Sequence, residues 1–128
     1  SMRASQAARP RVWMWRHFLP ASGITMPEPT VVEYRLSPAA LNDLDAIWDY
    51  STRTWSVGQA ETYIRGLAAD MDLLVQHPGI ARERVEIRPP VRLYRSGSHL
   101  IIYRIEAGWL DVLRIVHARQ NWVAYLNE

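Results

Sequence analysis

The stretch His99–Val116, HLIIYRIEAGWLDVLRIV, decides the fold. Two runs dense in β-branched, leucyl and aromatic residues flank Glu106-Ala107-Gly108, the pattern of two strands joined by a tight turn. Gly108 supplies the residue that tolerates positive φ in that turn. Strands this apolar need at least one face covered, and the cover has to come from elsewhere in the chain.

Two amphipathic helices upstream fit that need. Ser37-Pro38 offers an N-cap followed by proline at the first helical position, and Leu41, Leu44, Ile47, Trp48 and Ser51 then recur on one side. Asp43 and Asp45 lie near its start, where carboxylates favour the helix dipole. Trp55-Ser56 breaks the run. Ser56 caps a second helix reaching about Gln76, with Gln59 at the capping-box position. Its stripe of Ala60, Ile64, Leu67, Met71 and Leu74, widened by Tyr63, Ala68 and Val75, keeps a clean helical period. His77-Pro78-Gly79 ends it, and the short break between the helices implies an antiparallel helical hairpin.

The remaining segments complete a sheet. Residues 31–36 alternate as a half-buried first strand. Residues 80–90 read as an arginine-rich loop with a short irregular strand, Val91–Arg95 as the next strand, and Ser96-Gly97-Ser98 as a tight turn into the hairpin. Asn121 is placed to cap a short terminal helix bearing Trp122, Val123, Tyr125 and Leu126. The order β-α-α-β-β-β-(α) predicts an α+β fold in which a helical hairpin packs on one face of a mainly antiparallel sheet.

With 128 residues, 48% of them hydrophobic, the chain has length for one main domain and material for its core. The absence of cysteine excludes disulfides, thiolate chemistry and cysteine zinc sites. The four histidines, at 17, 77, 99 and 117, lack ligand spacing, and no cofactor motif is present, so neither metal nor cofactor is expected. No apolar run approaches the ~20 residues of a membrane span. Arg11, Arg16 and His17 interrupt the apolar residues near the start, which leaves no secretory h-region and makes a cytoplasmic protein the expectation.

Residues 1–30 read as a leader, with Ser1-Met2 a tag remnant and the four prolines Pro10, Pro20, Pro27 and Pro29 breaking any period. Residues 31–128 form the predicted domain. The cluster VWMWRHF at 12–18 stands apart: it either docks on the domain or on a partner, or precedes a natural start at Met26.

Charge is uneven. Residues 38–77 hold six acids and two arginines, whereas residues 78–119 hold eight arginines and four acids, so the helical part is acidic and the sheet part basic. A basic sheet surface suits a nucleic acid or an acidic protein segment, and complementarity between the two layers accounts for the asymmetry equally well. In a meander, Arg92, Arg104 and Arg114 are expected to share the sheet face away from the helices. Arg95 and Arg119 extend that surface. His117, at the last strand's end, is placed to act as an acid or base if Asp111 or Glu106 reaches it, and otherwise to cap or pack the strand end. The chain has no lysine, no nucleophile elbow and no glycine-rich phosphate loop.

The segment YRLSPAALNDLDAIWDYSTRTW at 34–55, the HPG that closes the second helix, RLYRSGSHLIIYRI at 92–105 and VLRIVHARQNW at 112–122 together resemble the ParE/RelE toxin superfamily, and the closing motif is similar to the ParE branch. The resemblance implies a toxin of a type II toxin-antitoxin system. ParE-like members poison DNA gyrase or topoisomerase IV by trapping the cleaved DNA complex, without being enzymes; RelE-like members cut messenger RNA on the ribosome. In-line attack by a ribose hydroxyl needs a positioned base, a leaving-group acid and a charge clamp. Arg92, Arg114 and His117 would be the nuclease set here, but lysine is missing and Ala118 stands where some ribosome-dependent relatives carry tyrosine. The expectation is therefore gyrase inhibition, with endoribonuclease activity or a non-toxic corepressor as the alternatives.

The resemblance further implies a ParD-like antitoxin, with operator DNA contacted only indirectly through it. The expected target or partner surface comprises Arg92, Arg95, Arg104, Arg114, His117, Arg119 and Trp122. The expected antitoxin groove, beside the helical hairpin, comprises Trp48, Trp55, Tyr63, Leu67 and Met71.

Overall fold

The computed structural model describes residues 33–126. Val31, Val32 and the cluster at 12–18, together with the proposed leader, lie outside the described residues. The elements in chain order are β1 (Glu33–Leu36), α1 (Pro38–Thr54), α2 (Val57–Gln76), β2 (Glu83–Arg84), β3 (Val91–Ser96), β4 (His99–Glu106), β5 (Trp109–His117) and α3 (Trp122–Leu126).

Both long helices start where the sequence placed them, because the capping serines make the expected bonds. The Ser37 hydroxyl accepts the Ala40 N–H and that of Ser56 the Gln59 N–H, each at 3.0 Å. Ser37 also donates to the Leu113 carbonyl at 2.8 Å, so this cap ties α1 to β5 as well as starting the helix. Both predicted stripes face inward: Leu44, Ile47 and Ser51 of α1 and Ala60, Ile64, Leu67, Met71 and Leu74 of α2 are buried.

The five strands form one sheet in the order β1-β5-β4-β3-β2. β3, β4 and β5 make the predicted antiparallel meander, and β1 joins its edge parallel to β5. At the β4–β5 turn both Ala107, at φ 53°, and Gly108, at φ 82°, take positive φ, the requirement of a two-residue type I′ hairpin. Gly97, at φ 60°, begins the other turn. A Cβ there would lie 2.7 Å from the Tyr63 hydroxyl, so both backbone conformation and close approach demand glycine.

The sheet is apolar on both faces. Ile101, Tyr103, Leu110, Val112 and Ile115 pack against the helices, while Val91, Ile102 and Val116 form a second cluster with Leu93, Leu100, Leu113, Ile87 and the Trp122 and Leu126 side chains of α3. The expected open basic outer face is therefore corrected. Nearly continuous apolar runs in β4 and β5 load both sides of the pleat, and the terminal helix covers part of the second side.

Candidate functional site

The predicted trio of arginines divides. Arg104 occupies the outer face, on the same side of β4 as Ile102, with Nη2 3.6 Å from Glu106. Arg92 stands opposite Tyr103, whose side chain belongs to the helix-side core, and donates to the Ala81 carbonyl at 2.6 Å. Arg114 is re-aimed by an irregularity: the register shifts between Ile102 and Tyr103 of β4, giving β5 one extra residue. A bulge of this kind turns a side chain away from simple alternation. The Arg114 guanidinium meets Asp43 of α1 with Nε and Nη2 each 2.9 Å from a carboxylate oxygen. Asp43 also accepts the Ile115 N–H at 2.8 Å, satisfying β5 beyond the end of its pairing with β1.

Arg95 donates to the Gly97 carbonyl at 2.7 Å and is exposed, as is Arg119 in the turn after β5. Trp122 packs on the outer-face cluster, and the Arg84 guanidinium lies 5.8 Å from the centre of its ring.

A groove of about 1060 Å³ opens between the facing halves of α1 and α2 and the end of the sheet where β4 starts and β5 finishes. Ile47 and Tyr50 of α1, Trp55 at its C-cap, Gln59 and Tyr63 of α2, Ser98 and His99, and Arg114 to His117 contribute to its walls. Tyr50 is 59% and Trp55 65% exposed, so aromatic surface is available at the groove. Two expected groove residues are corrected: Leu67 and Met71 are 1% and 0% exposed, their stripe being consumed by the core, and they present no surface to a partner in this structure. Trp48 is partly buried against the same core.

His99 and His117 sit directly opposite each other on neighbouring strands, with ring centroids 5.3 Å apart and edge-on. The Tyr63 hydroxyl lies 2.6 Å from His99 Nδ1 and accepts the Ser98 N–H at 2.9 Å. When the imidazole proton is on Nε2, the hydroxyl donates to Nδ1. Burial, reinforced by His117 and opposed by Asp43, pushes His99 down to about 4, so it is neutral at pH 7. Burial also raises the Tyr63 phenol, against the hydrogen bond from Ser98. His117 caps the turn beyond its strand, with Nδ1 accepting the Arg119 N–H at 3.1 Å.

Neither carboxylate considered as a partner for His117 is at its end of the hairpin. Asp111 pairs with Arg35 at 2.7 Å, and Glu106 stands opposite Trp109 at the other end. Tyr63 and His99 were missed as a hydrogen-bonded pair because 36 residues separate them and each reads locally as an element residue. Asp70 was likewise missed as the acceptor for buried Ser96.

Among the described residues, no group of three or more histidine or acidic side chains is placed to hold a metal, and no helix is long and apolar enough to cross a membrane.

Residues 34–122 match the family described as "ParE toxin of type II toxin-antitoxin system, parDE". "Toxin ParE1" of Caulobacter vibrioides is 39% identical over 93 residues, covering 73% of this chain and 96% of that protein. "Toxin ParE1" of Mycobacterium tuberculosis is 43% identical over 89 residues, covering 69% of this chain and 91% of that one. A solved structure described as "Chromosomal ParDE TA system from P. aeruginosa" has a TM-score of 0.61 at 20% identity, over 70% of this chain and 98% of the other, a likeness of fold.

Proposed function

The chain belongs to the ParE toxin family of type II toxin-antitoxin systems, and from that membership we propose that it inhibits DNA gyrase or topoisomerase IV and is neutralised by a ParD-like antitoxin. The observation that carries the choice of a poison over a nuclease is the commitment of the basic residues. Arg114 is held at 2.9 Å by both oxygens of Asp43, in a pair whose side chains are only 18% and 14% exposed. A guanidinium so engaged has to break a strong two-pronged bond before it clamps a phosphate. Arg92 is outside the groove: it stands opposite Tyr103, four residues along β4 from His99, or about 13 Å at the usual strand rise.

One observation favours the endoribonuclease alternative: the groove brings His99, His117, Tyr63 and Arg114 together. The neutral His99 is a hydrogen-bond partner of Tyr63, and His117 uses Nδ1 on the Arg119 N–H, so both rings already have structural work. The inhibitor reading needs no acid–base pair and stands as the conclusion.

The antitoxin would lay an apolar helical face against the exposed Tyr50 and Trp55 rim. Operator DNA is then contacted indirectly, through the antitoxin, and the site of action is the cytoplasm, where the topoisomerase works. The test is gyrase supercoiling with purified toxin, repeated after addition of the cognate antitoxin. Inhibition that the antitoxin reverses is the expected result, and undiminished supercoiling at saturating toxin would overturn the reading.

A further inference from the structure

The end of the groove where β4 starts and β5 finishes carries two imidazoles side by side. His99 and His117 face each other across the strands, and the Ala118 N–H donates to the Ser98 carbonyl at 2.8 Å. That bond makes them a non-hydrogen-bonded pair, the kind that brings cross-strand side chains closest. The contact of His99 with Tyr63 of α2 sets both rings on the helix side of the sheet, and both line the groove. Their ring centres lie 5.3 Å apart. A zinc–imidazole bond of about 2.0–2.1 Å holds a ring centre about 3.2 Å from the ion, and tetrahedral geometry then separates two such centres by about 5.2 Å.

We propose that His99 and His117 chelate one divalent cation of borderline softness, of the class of Zn2+, Ni2+ or Cu2+, through their Nε2 atoms. Imidazole suits these ions, and in a chain without cysteine it is the ligand best matched to them. Two protein ligands leave the other coordination positions to water from the groove, so the site is open, unlike a closed structural one. The protons balance by a change of tautomer. With the proton on Nε2, Nδ1 of His99 accepts from the Tyr63 hydroxyl and Nδ1 of His117 from the Arg119 N–H. Binding moves each proton to Nδ1 with no net release. His99 Nδ1–H then donates to the Tyr63 oxygen, whose own proton turns to the Ser96 carbonyl 3.4 Å away, the kind of oriented partner that metal-bound histidines use. His117 lets go of the Arg119 N–H, which lies in an exposed turn and passes to water. Arg114 also lines the groove and would oppose a cation, but its two-pronged pair with Asp43 neutralises it. The site does not depend on which enzyme the toxin inhibits.

Zinc chloride added to the full chain, followed by calorimetry and by NMR of the histidine rings, tests the pair. One ion per chain is expected. The ring resonances of His99 and His117 should shift together and the Arg119 amide with them, while the rings of His17 and His77 stay in place. His99→Gln and His117→Gln should each abolish saturable binding, and His77→Gln should leave it unchanged. Tyr63→Phe keeps both ligands and should weaken binding about tenfold with the stoichiometry intact. The ring shifts are read in the unmutated chain, so they decide the matter even where a variant fails to fold. No saturable binding, shifts confined to one ring or to His17 and His77, or an affinity indifferent to loss of either ligand would overturn the proposal.

Discussion

Asp43 of α1 and Arg114 of β5 are joined by two hydrogen bonds of 2.9 Å each, and the same carboxylate receives the Ile115 N–H at 2.8 Å. One acid thus fastens the first helix to the last strand, neutralises a mostly buried guanidinium and closes an open stretch of sheet edge. Removing the acid leaves a charge and a backbone donor without this partner. Asp43→Ala is expected to lower stability by about 2–3 kcal/mol. The double variant with Arg114→Ala should lose less than the sum of the two single losses. Urea unfolding of all four proteins measures that coupling, and strict additivity would remove the pair from the account.

Gly97 is fixed by its φ of 60° and by Tyr63, whose hydroxyl and Cε1 would lie 2.7 and 2.8 Å from an added Cβ. Gly97→Ala should therefore destabilise by about 2 kcal/mol or more. Tyr63→Phe in the same chain should relieve only part of the loss, because the ring carbon remains. Thermal unfolding of the single and double variants checks the order.

His99 is held neutral by its surroundings, and the sign of the pH effect follows. Its folded value of about 4 lies below the usual 6.5, so the unfolded chain binds the proton more readily. Its contribution is fully present above pH 6.5 and is lost as the pH falls toward and through 4. A titration of its ring resonance by NMR should have a midpoint near 4, and His117→Gln should move that midpoint upward while burial keeps it below 6.5. His99→Gln should flatten the stability loss between pH 6.5 and 4 relative to wild type.

Trp55 and Met71 were expected to serve the same groove but occupy opposite environments, at 65% and 0% exposure. Trp55→Ala should change stability by less than about 0.5 kcal/mol, whereas Met71→Ala should cost about 2–5 kcal/mol. On the proposed assignment, Trp55→Ala also weakens antitoxin binding. Paired denaturation and calorimetric binding measurements separate the two roles.

The parts of the fold legible in the sequence are those governed by local rules. Ser37 and Ser56 bond to the third residue beyond each, the helical stripes repeat every turn, and Gly108 sits in a two-residue hairpin turn. Arg114 escaped because its direction depends on a bulge, which breaks the alternation on which the expectation for the strand rested. The covered second face was missed because the apolar residues serving it interleave with those serving the first. Tyr63–His99, Asp70–Ser96 and Asp43–Arg114 pair residues far apart in sequence, and no local period announces them. The site was thus legible as a region, at His117 and the helical hairpin, but not as a set of contacts.

The central claim is that this toxin acts on a topoisomerase and does not cut messenger RNA. Its most direct test is the yield of protein-linked DNA breaks from purified gyrase, DNA and ATP as toxin is added, with ribosomes programmed with messenger assayed in parallel. The account predicts that cleaved DNA complex accumulates with toxin concentration while the messenger stays intact. Unchanged cleaved complex together with cutting in the ribosomal A site, abolished by Arg114→Ala and His117→Ala, would contradict it.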